Sequence, residues 1–568
     1  MNIVLRVLLK FGTCMTILLL IVSNTFAINT FSDKSSDREL SRIEQLYIEG
    51  KIGLGDKVFY NLQAIYSESS LPENIRSDSQ EIVKSATGII LEAYQCWDMM
   101  SPEQQSLASD YLTRRGFDAI YISPESYFSI HYDTIGTEAV PAEDIDVNGI
   151  PDYVERIGLY ADSSYRYYHN TLEYLPPPRE SEDPYDIYLV KIAAYGATVP
   201  GIPGDSAWND FTSHIEIHCD FDGPSFGPND DPEGRVIGAQ KVTCAHEYYH
   251  AVQFAYDFDY DNLWWMECTS VFFEEVLFPE VNDNYNYLSY FFDYPDTFLV
   301  APTFHMYSTF IWASYLVEKF DLDLLKSSFE YLRYYDVLPS IDSALNLYGQ
   351  QVKTVFSEFT LWNYFTSDRS DPTYHKDGAD YPLIDIDQVV TDFPSAVVEP
   401  VNPPDGLGSN YIICRPDPSE EGFFMFHFDG SQYVKWGLTS LVFESSRGAD
   451  IQSYPVDYNG LSHWGVYDFT VIDSMIIIPC VVSQYINNND YNIYVEVISY
   501  GDVDFSSGDP NILDVVFIIN QIYKDGPLPD YDPRMSDINC DELINILDVV
   551  SLINFIYKDG PAPGPCRY

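Results

Sequence analysis

Two histidines four residues apart, His246 and His250, with Glu247 directly after the first, stand in the stretch VTCAHEYYHAVQFAYD. In a helix, positions i and i+4 lie on one face about a turn apart. Both imidazoles could then point a nitrogen at one Zn²⁺ ion near 2 Å, with Glu247 projecting beside it. Zinc would acidify water towards a pKa of about 7, and the adjacent carboxylate would take the proton as that water attacks a carbonyl. A catalytic zinc needs three protein ligands and an open position. Glu267, 17 residues after His250 in NLWWMECTSVFFEE, is the candidate third ligand, because the DFDYDN turn lets a second helix return against the first. Glu274 falls seven residues on, hence on the same face, with Glu275 beside it. One of these would orient a histidine, or be the ligand in place of Glu267. A tetrahedral oxyanion also wants a donor. His305 and Tyr307 in TFHMYSTF are candidates, and core aromatics at a helix start are the other reading.

Three oxygen-rich stretches suggest a second kind of cation. Asp144, Asp146, Asn148, Gly149, Asp152 and Glu155 fill positions 1, 3, 5, 6, 9 and 12 of a calcium loop. The alternative is an Asp/Asn-rich turn capping the next helix; an ion there would serve structure. Near the C-terminus, NILDVVFIINQIYKDGPLP from Asn511 returns as NILDVVSLINFIYKDGPAP from Asn545, a period of 34 residues. Asp537, Asn539, Asp541, Asn545 and Asp548 give the second copy ligands at positions 1, 3, 5, 9 and 12. The first copy has Asp502, Asp504, Ser506, Asn511 and Asp514, with one extra residue in its loop.

Positioning these groups requires several kinds of element. Residues 241–278 read as two helices, and another helical run follows from about Tyr307 to Phe365. Upstream, YFSIHYDTIG, PYDIYLVKI and SHIEIHCDF read as strands, with VERIGLYADSSYRYYHNTLEYL a helix between the first two. Residues 28–122 read as mostly helical, either a propeptide or a structural layer. After about residue 380, SNYIICR, GFFMFHF, LTSLVFES, HWGVYDFTV, MIIIPCVV and NIYVEVIS are short aromatic and β-branched runs between turns, the texture of a β-sandwich.

At 568 residues the chain is long enough for about three to five domains, and 46% apolar residues suffice for packed cores. Its 87 acidic against 30 basic residues, formally −57, would repel nucleic acid and anionic membranes, which excludes both as partners. Residues 1–27 read as a signal peptide: Arg6 and Lys10, then the apolar FGTCMTILLLIV, then a Thr-Phe-Ala site ending at Ala27. Twelve apolar residues are short for spanning, so the mature chain is expected to be exported without a membrane span, to the outside or cell surface, with the periplasm open. Removing Cys14 leaves eight cysteines and no CxxC zinc spacing. A Cys244–Cys268 bridge and buried free thiols are both open.

The repeat closely resembles a type I dockerin over about residues 499–568. That resemblance implies a small all-α, calcium-folded module that docks onto a cohesin-type partner. The sequence departs from the pattern at the inserted residue of the first loop and at Glu542, where a glycine usually makes the sharp turn. The order YFSIHYD, DIDVNGIPDYVE, YDIYLV, SHIEI, AHEYYHAVQF, WWMECTS resembles a myxobacterial-type family of secreted, gluzincin-like metalloproteases over about residues 120–365. It implies His246 and His250 as zinc ligands, Glu247 as base and Glu267 as third ligand; Cys268 stands where a glycine is common. SHIEI would then be an edge strand that takes extended peptide by strand addition. The expected organisation is a multidomain α+β chain. Its parts are a signal peptide (1–27), a helical region (28–122), a zincin-like metallopeptidase domain (123–380), a β-sandwich (381–498) and a dockerin (499–568). The expected function is zinc-dependent hydrolysis of a protein or peptide substrate. The competing readings are a non-catalytic assembly protein on the same scaffold and a dockerin-bearing glycoside hydrolase, which needs paired carboxylates in a sugar cleft.

Overall fold

The computed structural model describes residues 41–76, 82–417, 422–444, 448–468, 472–483, 489–506, 508–524, 526, 533–564 and 566. The signal-peptide reading of residues 1–27 lies outside the described residues. The architecture is mixed α and β, with several sheets, in two compact units. One comprises the chain up to Tyr290 with Val300–Gln351; the other comprises Phe291–Leu299 with the chain from Val352. Among the described residues no helix is long and apolar enough to cross a membrane.

The first unit begins with helices α1 (Arg42–Ile48) and α2 (Leu54–Tyr66), strand β1 (Val83–Ser85) and helices α3 (Thr87–Gln95) and α4 (Pro102–Leu112). Then come β2 (Ala119–Ile122), β3 (Phe128–Tyr132), α5 (Asp152–Tyr165), β4 (Tyr185–Val190), β5 (Ala194–Pro203) and β6 (Phe211–His218). The six strands form one sheet in the order β1-β5-β6-β4-β3-β2. Strands β3, β4 and β6 run parallel, and α5 is the crossover that a parallel β3–β4 pair requires. The antiparallel β5–β6 pair and the parallel β1–β5 pair extend the sheet on one side.

Two differences from the sequence reading matter for the site. The region read as mostly helical supplies both edge strands, β1 and β2. The segment SHIEI lies in β6, an interior strand paired on both sides, so it has no free edge for strand addition. The strand beside it toward the edge, β5, carries three Gly/Pro interruptions in AYGATVPGIP, which hid it from a pattern search.

Alternate residues serve the two faces of the sheet. Tyr188, Val190 and Val199 join a core with Val58, Leu62, Ile65 and Ile90 of α2 and α3. On the other face lies α6 (Arg235–Gln253), with Phe128 edge-on to Tyr248, ring centroids 4.9 Å apart. From Gly238 to Gln253 every residue of α6 is buried, so it shows no polar face. Helix α7 (Leu263–Leu277) packs against α6, and α8 (Phe310–Lys319), α9 (Leu322–Leu332) and α10 (Val337–Asn346) complete the unit.

Among the described residues the second unit contains α11 (Val352–Trp362) and the strands β7 (Gln388–Val390), β8 (Ile412–Cys414), β9 (Phe423–Gly430), β10 (Trp436–Glu444), β11 (Gly448–Ser453), β12 (Leu461–Asp468), β13 (Ile472–Val481) and β14 (Tyr491–Ile498). They form sheets β11-β10-β13-β8-β7 and β12-β9-β14. The sheets share a core in which Ile412, Leu438, Val442 and Ile477 meet Phe424, Phe426, Phe428 and Ile493. Each of the six runs read from the sequence contains one strand; β7 and β11 add to them. The repeat follows as α12 (Ile512–Tyr523) and α13 (Ile546–Lys558), each opened by the same capping box, Asn511 with Asp514 and Asn545 with Asp548. A disulfide joins Cys540 to Cys566. No bridge joins Cys244 and Cys268: both are buried free thiols, in contact with the carbonyls of Ile157 and Thr309.

Candidate metal centre

Helices α6 and α7 bring His246, His250 and Glu267 together as sequence spacing required. The separations are 3.0 Å from His246 Nε2 to Glu267 Oε2, 3.0 Å between the two histidine Nε2 atoms and 3.4 Å from His250 Nε2 to Glu267 Oε2. Ligands at 2.0–2.1 Å around a tetrahedral zinc stand about 3.3–3.4 Å apart, so this triangle is close to one face of such a tetrahedron. The chemistry of the group agrees. Two Nε2 lone pairs and a carboxylate converge where at most one or two protons could sit between them. Each imidazole gives its other nitrogen's proton away, His246 Nδ1 to Glu274 Oε1 at 2.7 Å and His250 Nδ1 to Gln253 Oε1 at 2.8 Å. That tautomer leaves both Nε2 atoms free to ligate. Gln253 is itself oriented, donating to the Met266 carbonyl and Thr269 hydroxyl at 3.0 Å each.

The surrounding carboxylates favour positive charge at the same point, which the His246 imidazole carries when no metal is there. Burial alone would depress His246, but hydrogen bonds and charge from Glu267 and Glu274 outweigh it and raise its pKa to about 10. Burial would raise Glu267, yet His250 and His246 hold it down to about 2. Glu274 Oε2 lies 2.8 Å from the Lys84 ammonium, which also pairs with Asp283. Burial opposes the Lys84 charge, but Asp283 and Glu274 together raise its pKa well above the ordinary lysine value.

Glu247 follows His246 directly on α6 and is fully buried. Its Oε2 accepts from the hydroxyls of Thr87 and Thr198, both at 2.9 Å, while Oε1 is buried without a hydrogen-bond partner. The Thr87 oxygen also accepts the Thr198 amide at 2.8 Å, fastening the start of α3 to β5. Gly196 makes this approach feasible: a Cβ there would come within 2.7 Å of Glu247 Cγ.

Of the two candidate oxyanion donors, Tyr307 is buried, and burial with the charges of Glu267 and Glu247 raises its pKa well above the ordinary tyrosine value. His305 bonds instead to the Tyr290 carbonyl at 3.0 Å, and burial depresses its pKa to about 4. His246 is 1% exposed and Glu247, His250 and Glu267 are 0%, so the centre is closed to solvent in this structure. Sequence reasoning missed Lys84, Thr87, Thr198 and Gln253. Gln253, three residues after His250 on the same helix, carried a local signal; the others arrive from remote strands and helix starts.

Two of the three oxygen-rich loops bring carboxylates together. Asp144, Asp146 and Asp152 offer oxygens within 4.8 Å of one another. Asp144 accepts the Asn148 and Gly149 amides at 3.1 and 2.9 Å, and Asn148 reaches Glu155 at 2.8 Å. In the first repeat Asp502, Asp504 and Asp514 converge likewise. Burial, with the charges of Asp514 and Asp504, pushes Asp502 up to about 6. Asn511 reaches Ser506 at 3.4 Å. In the second repeat Asp537 accepts the Asp541 and Glu542 amides at 3.1 and 2.9 Å, and Asp548 those of Asn539 and Asn545 at 3.2 and 2.7 Å. Glu542 takes the left-handed φ of 66° that favours glycine.

No known protein-family model matches the chain, and no curated protein matches it.

Proposed function

We propose that the protein is an exported zinc-dependent peptidase on a zincin-like scaffold, with a calcium-binding dockerin-like module at its C-terminal end. The observation that carries this reading is the triangle of His246, His250 and Glu267, with Glu247 next to His246 in sequence and its buried Oε1 unpartnered. Zinc bound there supplies a Lewis acid for a peptide carbonyl and for water. Glu247 takes the water proton at Oε1, because Oε2 is held by Thr87 and Thr198, and delivers it to the leaving amine. Tyr307, whose hydroxyl stays protonated because burial and the nearby carboxylates oppose its ionisation, would donate to the oxyanion.

The test is metal content together with peptide-library digestion. One zinc per chain is expected, and Glu247→Gln should keep it while hydrolysis falls by about 10²- to 10⁴-fold. A wild-type chain without zinc would sink the reading. The solvent-closed state of the centre favours a second reading, a non-catalytic protein that retains the metal for structure. That reading expects bound zinc and digests that do not differ between wild type and Glu247→Gln.

Calcium is proposed for the 144–155 loop and the first repeat loop, supported by their converging carboxylates, and for the second repeat loop, supported by its ligand series and by the backbone amides that hold Asp537 and Asp548. Docking to a cohesin-type partner is supported by the matched apolar pairs of the repeat. Ile512 and Ile546, Leu513 and Leu547, Val516 and Val550, and Tyr523 and Tyr557 are all 45–62% exposed at equivalent positions of α12 and α13.

A further inference from the structure

The N-terminal region reads from sequence as either a removable segment or a fixed layer, and its strand β1 reaches the metal centre. From the zinc reading above, we propose that Lys84 is a positioning residue of that centre: it fixes Glu274, which fixes the His246 ring, so the region carrying β1 is a constituent of the site.

The chain of contacts is continuous and dry. His246 Nδ1 lies 2.7 Å from Glu274 Oε1, and Glu274 Oε2 lies 2.8 Å from Lys84 Nζ. The Lys84 ammonium also pairs with Asp283 and stands 5.0 Å over the Tyr195 ring. The side chains of Lys84, Glu274 and Asp283 are each 1% exposed, so water does not substitute for any link. A buried carboxylate that accepts a histidine proton needs its second oxygen neutralised, or it will rotate or pick up a proton. Lys84 does this from β1, whose partners Ala194 and Gly196 on β5 fix its register. Three residues on, Thr87 delivers its hydroxyl to Glu247. One five-residue stretch, Val83–Thr87, therefore contacts both the base and the support of a ligand.

The experiment measures zinc affinity by chelator competition in the full-length chain, alongside melting of the metal-free proteins and the visible spectrum after cobalt substitution. Lys84→Met combined with Asp283→Asn keeps the buried charge balanced while cutting the link. It should weaken zinc about 10- to 100-fold and alter the cobalt spectrum, with metal-free melting close to wild type. Lys84→Arg, which keeps the charge, should recover most of the affinity. If the double variant does not fold, Lys84→Gln with Asp283→Asn cuts the same link with a polar side chain in place of the ammonium, and the same loss is expected. Zinc affinity equal to wild type in these variants overturns the role of Lys84 and leaves the zinc reading intact. A wild-type chain that binds no zinc overturns both.

Discussion

The centre at His246 gathers its donors from far apart in the chain, whereas the repeat loops at Asp502 and Asp537 hold theirs within one local segment. At the first, ligands come from two helices, and their supports come from β1, β5 and the segment after α7, all buried. In the loops the donors lie within a dozen or so residues, and the carboxylates are steadied by backbone amides of the same loop. The difference teaches where each kind of site is vulnerable. A buried centre assembled at long range fails when any remote support is lost, whereas a local loop fails mainly through its own residues or its ion.

Three perturbations put this contrast at risk, in falling order of effect. Glu267→Ala deletes a ligand from the buried centre. Zinc affinity should fall by more than the roughly 100-fold that loss of an outer partner costs, with calcium binding by the repeat unchanged. Elemental analysis of dialysed protein checks this, and zinc retained at one per chain would break the comparison. Leu513→Asp with Leu547→Asp places charge on the exposed apolar stripe, outside both calcium loops. Each should cost a cohesin-type partner on the order of 1–2 kcal/mol of binding, measured by titration calorimetry, with calcium uptake intact. Loss of calcium together with binding would mean that loop and surface are not separable. Glu542→Gly relieves a left-handed backbone position in the second loop. It should stabilise the calcium-loaded repeat by about 1 kcal/mol, seen as a higher melting temperature. No gain would show that side-chain contacts of Glu542 offset the backbone cost.

What was legible in the sequence follows the same division. The i, i+4 histidines, the turn back to Glu267 and the oxygen-rich series of each loop are short-range patterns, and His246, His250 and Glu267, Asp144, Asp146 and Asp152, and Asp502, Asp504 and Asp514 do come together in the fold. The sandwich strands were legible because alternating apolar runs are bounded by turns. Lys84 and Thr87 were not, since nothing near them in sequence marks a partner some 160 to 190 positions away. β6 was taken for an edge because an apolar strand looks the same from sequence whether one or both of its flanks are paired. Helix α6 lacks a polar face, so only its HExxH spacing, and no amphipathic pattern, announced it.

The pairing of Val83 with Ala194 has a consequence in time. During synthesis β1 leaves the ribosome well over a hundred residues before the strand it joins, and longer still before α7 exists. Contacts of such high sequence separation form slowly, because loop-closure entropy must be overcome before any contact compensates for it. The stretch that carries Lys84 must therefore wait, unpaired, while the middle of the unit is made. A chain stalled in that interval would present β1 as an unpaired strand, the kind of surface that chaperones recognise and aggregates grow from.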